Sequence, residues 1–344
     1  MLKELLKKEE PVVYTALENA LKNKTVSSAY LFTGPYGTPK KEAAILLAQS
    51  LLCENPDENG MACESCNSCR RVREGTYSDL ILIDGKEKPV SKEMVDYVQS
   101  VFSKTALEKN GQRIYIILNC ETASISAQNS MLKFLEEPGK GITAILTTDN
   151  VNAVLPTILS RCTILPFVPL SADAYLDMCK DAGIPEEDQY FASHLARNMD
   201  DLDQLFPLDN TGRQASSIYK SALGMFRQYL DPRERNDLLI DFDISWKSKE
   251  KDTKKAKAEN IAILRDFFTL LILYWRDVIR NDEQGPAWYH SAVQRASSPK
   301  EDYAEMIVIA SEERDKVNRF NDLNLLMDQA YYRLEVLRHE RGIA

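Results

Sequence analysis

Four cysteines, Cys53, Cys63, Cys66 and Cys69, stand as C-x9-C-x2-C-x2-C. Two-residue gaps let neighbouring thiolates converge on one ion. The nine-residue loop, with Asn59 and Gly60 as its turn, brings back the fourth. Four thiolates satisfy a tetrahedral Zn²⁺ and leave no open position, so the spacing predicts a structural zinc site. Two disulfides, unrelated free thiols or an iron–sulfur cluster are the other readings of the same spacing. Cys120, Cys162 and Cys179 are scattered and are expected as small buried apolar residues.

A second constellation is Gly34-Pro-Tyr-Gly-Thr-Pro-Lys-Lys41. A working phosphate loop reads G-x-x-x-x-G-K-[ST]. Gly34 and Lys40 keep their places, and Gly37 lies within the loop. Pro39 stands where the second glycine belongs and Lys41 where the hydroxyl belongs. Proline has no N–H to offer a phosphate, and it pushes Thr38 out of the helical region. Lysine cannot supply the hydroxyl that ligates Mg²⁺. Taken alone, the segment reads equally as an ordinary Gly/Pro turn. The strand Ile114 to Leu118 occupies the place of a metal-binding strand, yet it ends in Leu118 and Asn119, with Glu121 out of register. Two parts of one catalytic site are missing together, which fits a retained scaffold with lost catalysis.

The elements that must position these groups are legible as pattern. Strands are expected at Ala29–Thr33, Leu80–Ile83, Ile114–Leu118, Thr143–Thr147 and Thr163–Phe167. Helices are expected at Lys40–Leu52, after a Ser91 cap (carrying Met94, Val95, Val98 and Phe102), and from Ser124 to Glu136. Short strands separated by helices predict an α/β parallel sheet with helices on both faces, whose ligand site lies at the C-terminal strand ends. After Phe167 the strand signals stop. Val168 to Ser171 reads as a linker and cap, and Phe206 to Gly212 as a turn-rich boundary. The remainder reads as all-helical, with its most apolar stretch at Ile261–Ile279. Phe267, Phe268, Leu270, Leu271, Ile272, Leu273, Tyr274 and Trp275 are interrupted only by Thr269. A helix so apolar must be buried on several sides, in a core or against a partner. The lysine-rich Lys247–Asn260 reads as a solvated helix extension or loop.

Composition narrows the function. The 344 residues carry 43 Lys and Arg against 52 Asp and Glu, a formal net charge of −9. A free-standing nucleic-acid binder is usually basic, so any such contact is local or borrowed from a partner. The three histidines, His194, His290 and His339, all lie beyond residue 193. Histidine-assisted nucleophiles and histidine-bound catalytic zinc are thereby excluded from the first half. The charged N-terminus lacks the apolar core of a signal peptide, and no stretch is long enough to span a bilayer, so a cytoplasmic protein is expected.

The segments AYLFTGPYGTPKKE, the four-cysteine insert, NSMLKFLEEPG and LPTILSRC occur in this order. Together they resemble the AAA+ clamp loaders of bacterial DNA polymerase III, in detail over about residues 12 to 206. The resemblance implies an AAA+ domain over residues 1–168 with its zinc module at 53–69, a helical lid over 169–208 and a helical oligomerisation collar over 209–344. It implies a structural role for the zinc and, without an intact loop, a non-catalytic subunit, with ATP bound by its partners. Those partners would be the gamma/tau motor subunits, the delta subunit, the sliding clamp and primer–template DNA. In such loaders the arginine of Ser160-Arg161-Cys162 reaches into the ATP site of a neighbouring motor subunit. Thr147 and Thr148 fall where a nucleotide sensor sits. Asn129, Leu132, Phe134 and Leu135 are expected as packing positions, and Glu136 and Glu137 as surface pairs or caps. The competing readings are an active ATPase motor subunit of the same loader and a zinc-dependent DNA-binding module, the latter prompted by Arg70, Arg71 and Arg73.

Overall fold

Strand β1 (Ala29–Thr33) is apolar on alternate sides in two senses. Tyr30 and Phe32 face one core, Ala29 and Leu31 the other. Strands β3 (Arg113–Leu118) and β4 (Ile142–Thr148) repeat the pattern. Ile114, Ile116, Leu118 and Ile145 lie on one side, and Tyr115, Ile117, Ala144 and Leu146 on the other. A sheet buried on both faces needs helices on both, and that is the arrangement found. The computed structural model describes residues 1–102, 108, 111–210, 212–282, 284–296, 299–318 and 321–341. It divides into two units, Met1–Leu170 and Ser171–Ala344.

In the first unit, β2 (Leu80–Asp84) and β5 (Thr163–Pro166) complete a parallel sheet of order β2-β3-β4-β1-β5. One face is covered by α1 (Leu2–Glu9), α2 (Pro11–Lys22), α3 (Lys40–Leu52) and α4 (Asn67–Arg73). The other face is covered by α5 (Lys92–Phe102), α6 (Ile125–Glu136) and α7 (Pro156–Leu159). Helix α6 starts where the Ser124 hydroxyl accepts the Ala127 N–H, the cap expected from sequence. The expected packing positions Leu132, Phe134 and Leu135 do meet the core, but Asn129 is exposed. The residue that fills its expected role is Gln128. It is buried, its amide donates to the Ala123 and Ala153 carbonyls, and its oxygen accepts the Leu155 N–H.

The second unit begins with α8 (Ala172–Asp181), capped by Ser171, then α9 (Glu186–Leu195) and α10 (Met199–Leu205). The strand signals do not stop quite where the sequence suggests. A two-residue antiparallel ladder pairs β6 (Leu208–Asp209) with β7 (Gly212–Arg213) at the turn-rich boundary, whose Thr211 lies outside the described residues. Then follow α11 (Ser217–Leu230), α12 (Leu238–Asp241), a π-helical turn at Phe242–Trp246, α13 (Thr253–Arg280), α14 (Ala287–Arg295), α15 (Lys300–Lys316) and α16 (Leu323–Arg341). Phe267, Phe268, Leu270, Leu271, Leu273 and Trp275 of α13 are all buried in this unit's own core, among residues of α9, α11 and α15. The apolar circumference of α13 is therefore explained without a partner. The lysine-rich stretch is a loop followed by exposed first turns of α13, capped by Asp252, which accepts from the Lys254 and Lys255 N–H groups.

This core buries several carboxylates, Glu313 of α15 and Asp277 of α13 among them. Asp277 of α13 is fully buried, and its Oδ2 accepts from the hydroxyls of Tyr190 (2.5 Å) and Tyr289 (2.6 Å). Its Oδ1 accepts from Arg276 at 3.1 Å. Burial first, then the carboxylate, pushes both phenols well above their ordinary range. Replacing Asp277 by Ala leaves two tyrosine hydroxyls without a partner, each costing about 1–3 kcal/mol. Asp277→Ala is therefore expected to lower unfolding stability by roughly 2–5 kcal/mol, and Asp277→Asn, which keeps an acceptor, by less. Urea unfolding of both variants checks this; equal losses would contradict it.

Candidate functional site

The four cysteines converge. Helix α3 ends at Cys53, the insert loops out and back, and Cys66 caps the start of α4. The Cys53 sulfur lies 3.6 Å from that of Cys63 and 3.9 Å from that of Cys66. All four sulfurs lie within 4.8 Å of one another. Four sulfurs about 2.3 Å from a central ion would be about 3.8 Å apart at their tetrahedral edges, so the donor set fits. Sulfur also accepts backbone N–H groups: Cys63 onto Cys53, Cys66 onto Cys63 and Cys69 onto Cys66. Burial raises the Cys63 thiol pKa, but the Ser65 amide and hydroxyl and the Cys66 amide outweigh it and bring it down to about 6. Burial pushes the Cys53 thiol, and burial with the neighbouring cysteines the Cys69 thiol, in the opposite direction. The sulfurs of the cluster lie at non-bonded distances from one another. Cys120 and Cys179 are buried as expected, and Cys162 is half-buried.

The module is tied to the rest of its unit from both sides. The Gln49 amide of α3 donates to the Cys69 carbonyl at 2.7 Å. Glu64, at a positive φ of 57°, accepts the Leu2 N–H of α1 at 2.6 Å. Arg71, one of the three basic residues behind the last cysteine, is paired with Glu108 at 2.9 Å and lies over the Tyr77 ring. Arg70 donates to Asn67. Only the charge of Arg71 is met locally; Arg70 and Arg73 are exposed.

The phosphate-type loop follows β1 as expected, at the C-terminal edge of the sheet. Its glycines are kept for backbone reasons. A Cβ on Gly34 would meet the Phe167 carbonyl oxygen at 2.6 Å, and Gly37 has a φ of 91°. Lys40 is 4% exposed, and its ammonium is filled from within. It donates to the Gly34 carbonyl (2.8 Å), the Pro35 carbonyl (2.7 Å) and the Thr38 hydroxyl (2.7 Å). Its charge is met by Asp149 at 3.0 Å. Burial lowers the lysine pKa, and Asp149 opposes the shift. Lys41, by contrast, is exposed.

Asp149 is the site residue that sequence reasoning missed. It follows β4, which pairs directly with β1, so only the strand order brings it to Lys40. Its other oxygen faces Lys86 at 3.6 Å, and its N–H donates to Glu121. Glu121 also accepts from the Asn119 amide, and its Oε2 is buried with no hydrogen-bond partner among the described residues. Asn119, at the end of β3, has left-handed backbone, and its N–H donates to the Thr147 hydroxyl. The Thr148 hydroxyl accepts the Asn150 N–H. Both threonines are thus engaged in shaping the loops.

Arg161 lies in the turn between α7 and the edge strand β5, whose Ile164 is 43% exposed. Its guanidinium donates to the Thr157 carbonyl at 2.8 Å and to Glu136 of α6 at 2.5 Å. The Ser160 hydroxyl donates to the Thr157 carbonyl. The carboxylate partner is therefore local, and Glu136 pairs at the surface as expected. Both side chains stay one-third to one-half exposed, at 33% and 48%, where an ion pair holds little free energy, roughly 0.2–1 kcal/mol.

A five-stranded parallel sheet of this order, with a phosphate-type loop after β1 and helices on both faces, is the AAA+ form of the P-loop fold. Residues 9–171, just under half of the chain, match the family described as DNA polymerase III, delta subunit. It is similar to DNA polymerase III subunit delta' of Bacillus subtilis (strain 168), with 34% identity over 211 residues, covering 61% of this chain and 63% of that one. It is also 35% identical over 160 residues to subunit tau of the same organism, covering 46% of this chain and 28% of that one. The chain thus spans less than two thirds of the length of these relatives. Among solved structures, a DNA polymerase III gamma subunit-related protein from Thermotoga maritima aligns with 96% of this chain and 99% of its own, at 15% identity and a TM-score of 0.44. Among the described residues no helix is long and apolar enough to cross a membrane.

Proposed function

We propose that this chain is a non-catalytic, delta-prime-type subunit of a cytoplasmic replicative clamp loader, and that it donates Arg161 to the ATP site of a neighbouring motor subunit. The observation that carries the non-catalytic reading is the state of Lys40. Its ammonium lies within 3.0 Å of four acceptors, the Gly34 and Pro35 carbonyls, the Thr38 hydroxyl and the Asp149 carboxylate, which neutralises it. A γ-phosphate would have to displace a carboxylate from a lysine already satisfied, on a loop lacking both the hydroxyl and the strand-end aspartate that hold Mg²⁺. The motor-subunit reading needs those groups. In this reading Zn²⁺ fills the four-cysteine site in a structural role. The second unit comprises a lid (169–208) and a collar (209–344) that assembles with gamma/tau and delta subunits, and the assembled loader acts on the sliding clamp and primer–template DNA.

The purified chain is expected to show no ATPase activity and no Mg-ATP affinity in the micromolar range. Isothermal calorimetry is the check. Asp149→Asn frees the lysine but restores neither magnesium ligand, so it too should fail to bind. Micromolar binding by the unaltered chain would sink the proposal.

A further inference from the structure

A surface cleft of about 670 Å³ opens in the second unit between the end of α11 and α14. It is lined by Arg227 and Leu230 of α11, Asp231 and Arg233 of the turn that follows, and Trp288 and Arg295 of α14. The Arg227 guanidinium lies over the Trp288 ring, 4.5 Å from its centroid. Trp288 is held in turn by Phe191 at 5.5 Å. Stacking on an indole fixes a guanidinium while leaving its N–H edge available. Among the described residues Arg227 makes no side-chain hydrogen bond or ion pair. Arg295 uses only its Nε, on the Ser291 carbonyl 3.0 Å away. The carboxylate in the lining, Asp231, is already held by Arg233 through two bonds of 3.2 and 3.0 Å. Asp188 acts on Arg227 and Asp231 on Arg295 only at a distance, so among the described residues neither guanidinium has a carboxylate in direct contact, and both keep N–H groups beside an apolar floor of Leu230 and Trp288.

We propose that this cleft docks an acidic, aliphatic peptide segment of a partner protein. Carboxylates would bridge to Arg227 and Arg295, and an apolar side chain would cover Leu230 and Trp288. Charge complementarity argues for an acid, and the apolar floor argues for a peptide over a polyanion. A nucleic-acid strand would want a basic track and a stacking face. Here Asp231 interrupts the charge, and a base could stack on Trp288 only by displacing Arg227.

The full-length protein is titrated at low salt into a fluorescein-labelled decapeptide of alternating aspartate and leucine, and anisotropy is followed. The same peptide with asparagine for aspartate and a labelled oligothymidylate are run beside it. Saturable binding of the acidic peptide is expected, with none of the asparagine peptide. Arg227→Gln and Arg295→Gln should each weaken it by about tenfold or more, as the loss of a charged hydrogen bond implies. Arg295 sits on an exposed helix face, so that variant keeps the test valid if Arg227→Gln disturbs Trp288; unchanged melting temperatures confirm folding. Absence of saturable peptide binding, unchanged affinity in the folded variants, or tighter binding of the oligothymidylate overturns the proposal.

Discussion

Stripping zinc from Cys53, Cys63, Cys66 and Cys69 is expected to unfold the insert and release helix α1 from the first unit. Structural zinc in small finger peptides supplies about 10–16 kcal/mol of apparent binding free energy at neutral pH. Here other contacts share the task, among them the Gln49 bond to the Cys69 carbonyl and the Glu54 bond to the Ser68 hydroxyl. A loss of several kcal/mol is therefore expected, which for a unit of this size lowers the melting temperature by roughly 10 °C or more. The damage should reach α1, because the buried Glu64 between Cys63 and Cys66 accepts the first N–H of that helix. The sheet, with its own apolar faces, should survive. Elemental analysis of protein purified without added metal should give one zinc per chain. Hydrogen exchange after chelation should show α1 and residues 53–69 opening while β1, β3 and β4 stay protected. Less than about half an equivalent of zinc, or no change in α1 on chelation, would reject the assignment.

Arg161→Ala should leave the isolated chain folded and able to assemble, yet lower clamp loading and DNA-stimulated ATP hydrolysis by the assembled loader. An arginine supplied in trans accelerates phosphoryl transfer by roughly 10³–10⁵ in well-studied systems. Only one neighbour would receive this one, so bulk ATPase should fall in part and productive loading more. Arg161→Lys keeps the charge but loses the planar fork, and it should rescue poorly. The exposed pair with Glu136 makes a second test available. If Arg161 acts on a partner, Glu136→Ala merely frees it, and ATPase should hold. If the pair is the function, Glu136→Ala should copy Arg161→Ala, with both lowering the melting temperature and neither altering ATPase per complex.

How much of this was legible in the residues differs from element to element. Strands β1 to β4 and the α3 and α6 helices fall within a residue or so of their expected limits, because local apolar period and Ser or Gly punctuation decide them. The convergence of the four cysteines is legible for the same reason, since short spacing within one segment nearly determines which sulfurs meet. Asn129 and Gln128 exchange expected places because one residue along a helix is a turn of about 100°, and only packing decides which of two adjacent amides faces inward. The α13 stretch showed that it must be buried but not by what. Its own unit supplies α9, α11 and α15, whose sequence separation hides the pairing.

The sequence by itself determined what this loop lacks: a glycine N–H, a magnesium hydroxyl and a strand-end carboxylate, each an absence that no fold can repair. It could not show what took their place. Asp149 lies more than a hundred residues from Lys40 and carries no motif of its own. It becomes the counter-ion of that lysine because β4 inserts beside β1 in the sheet and both strands end on the same edge. The same holds for Arg161 and Glu136, which belong to separate helical turns and meet only where α6 and α7 pack on one face. Spacing along the chain fixes what is close in sequence; charge pairs across a parallel sheet depend on strand order, which only tertiary packing selects.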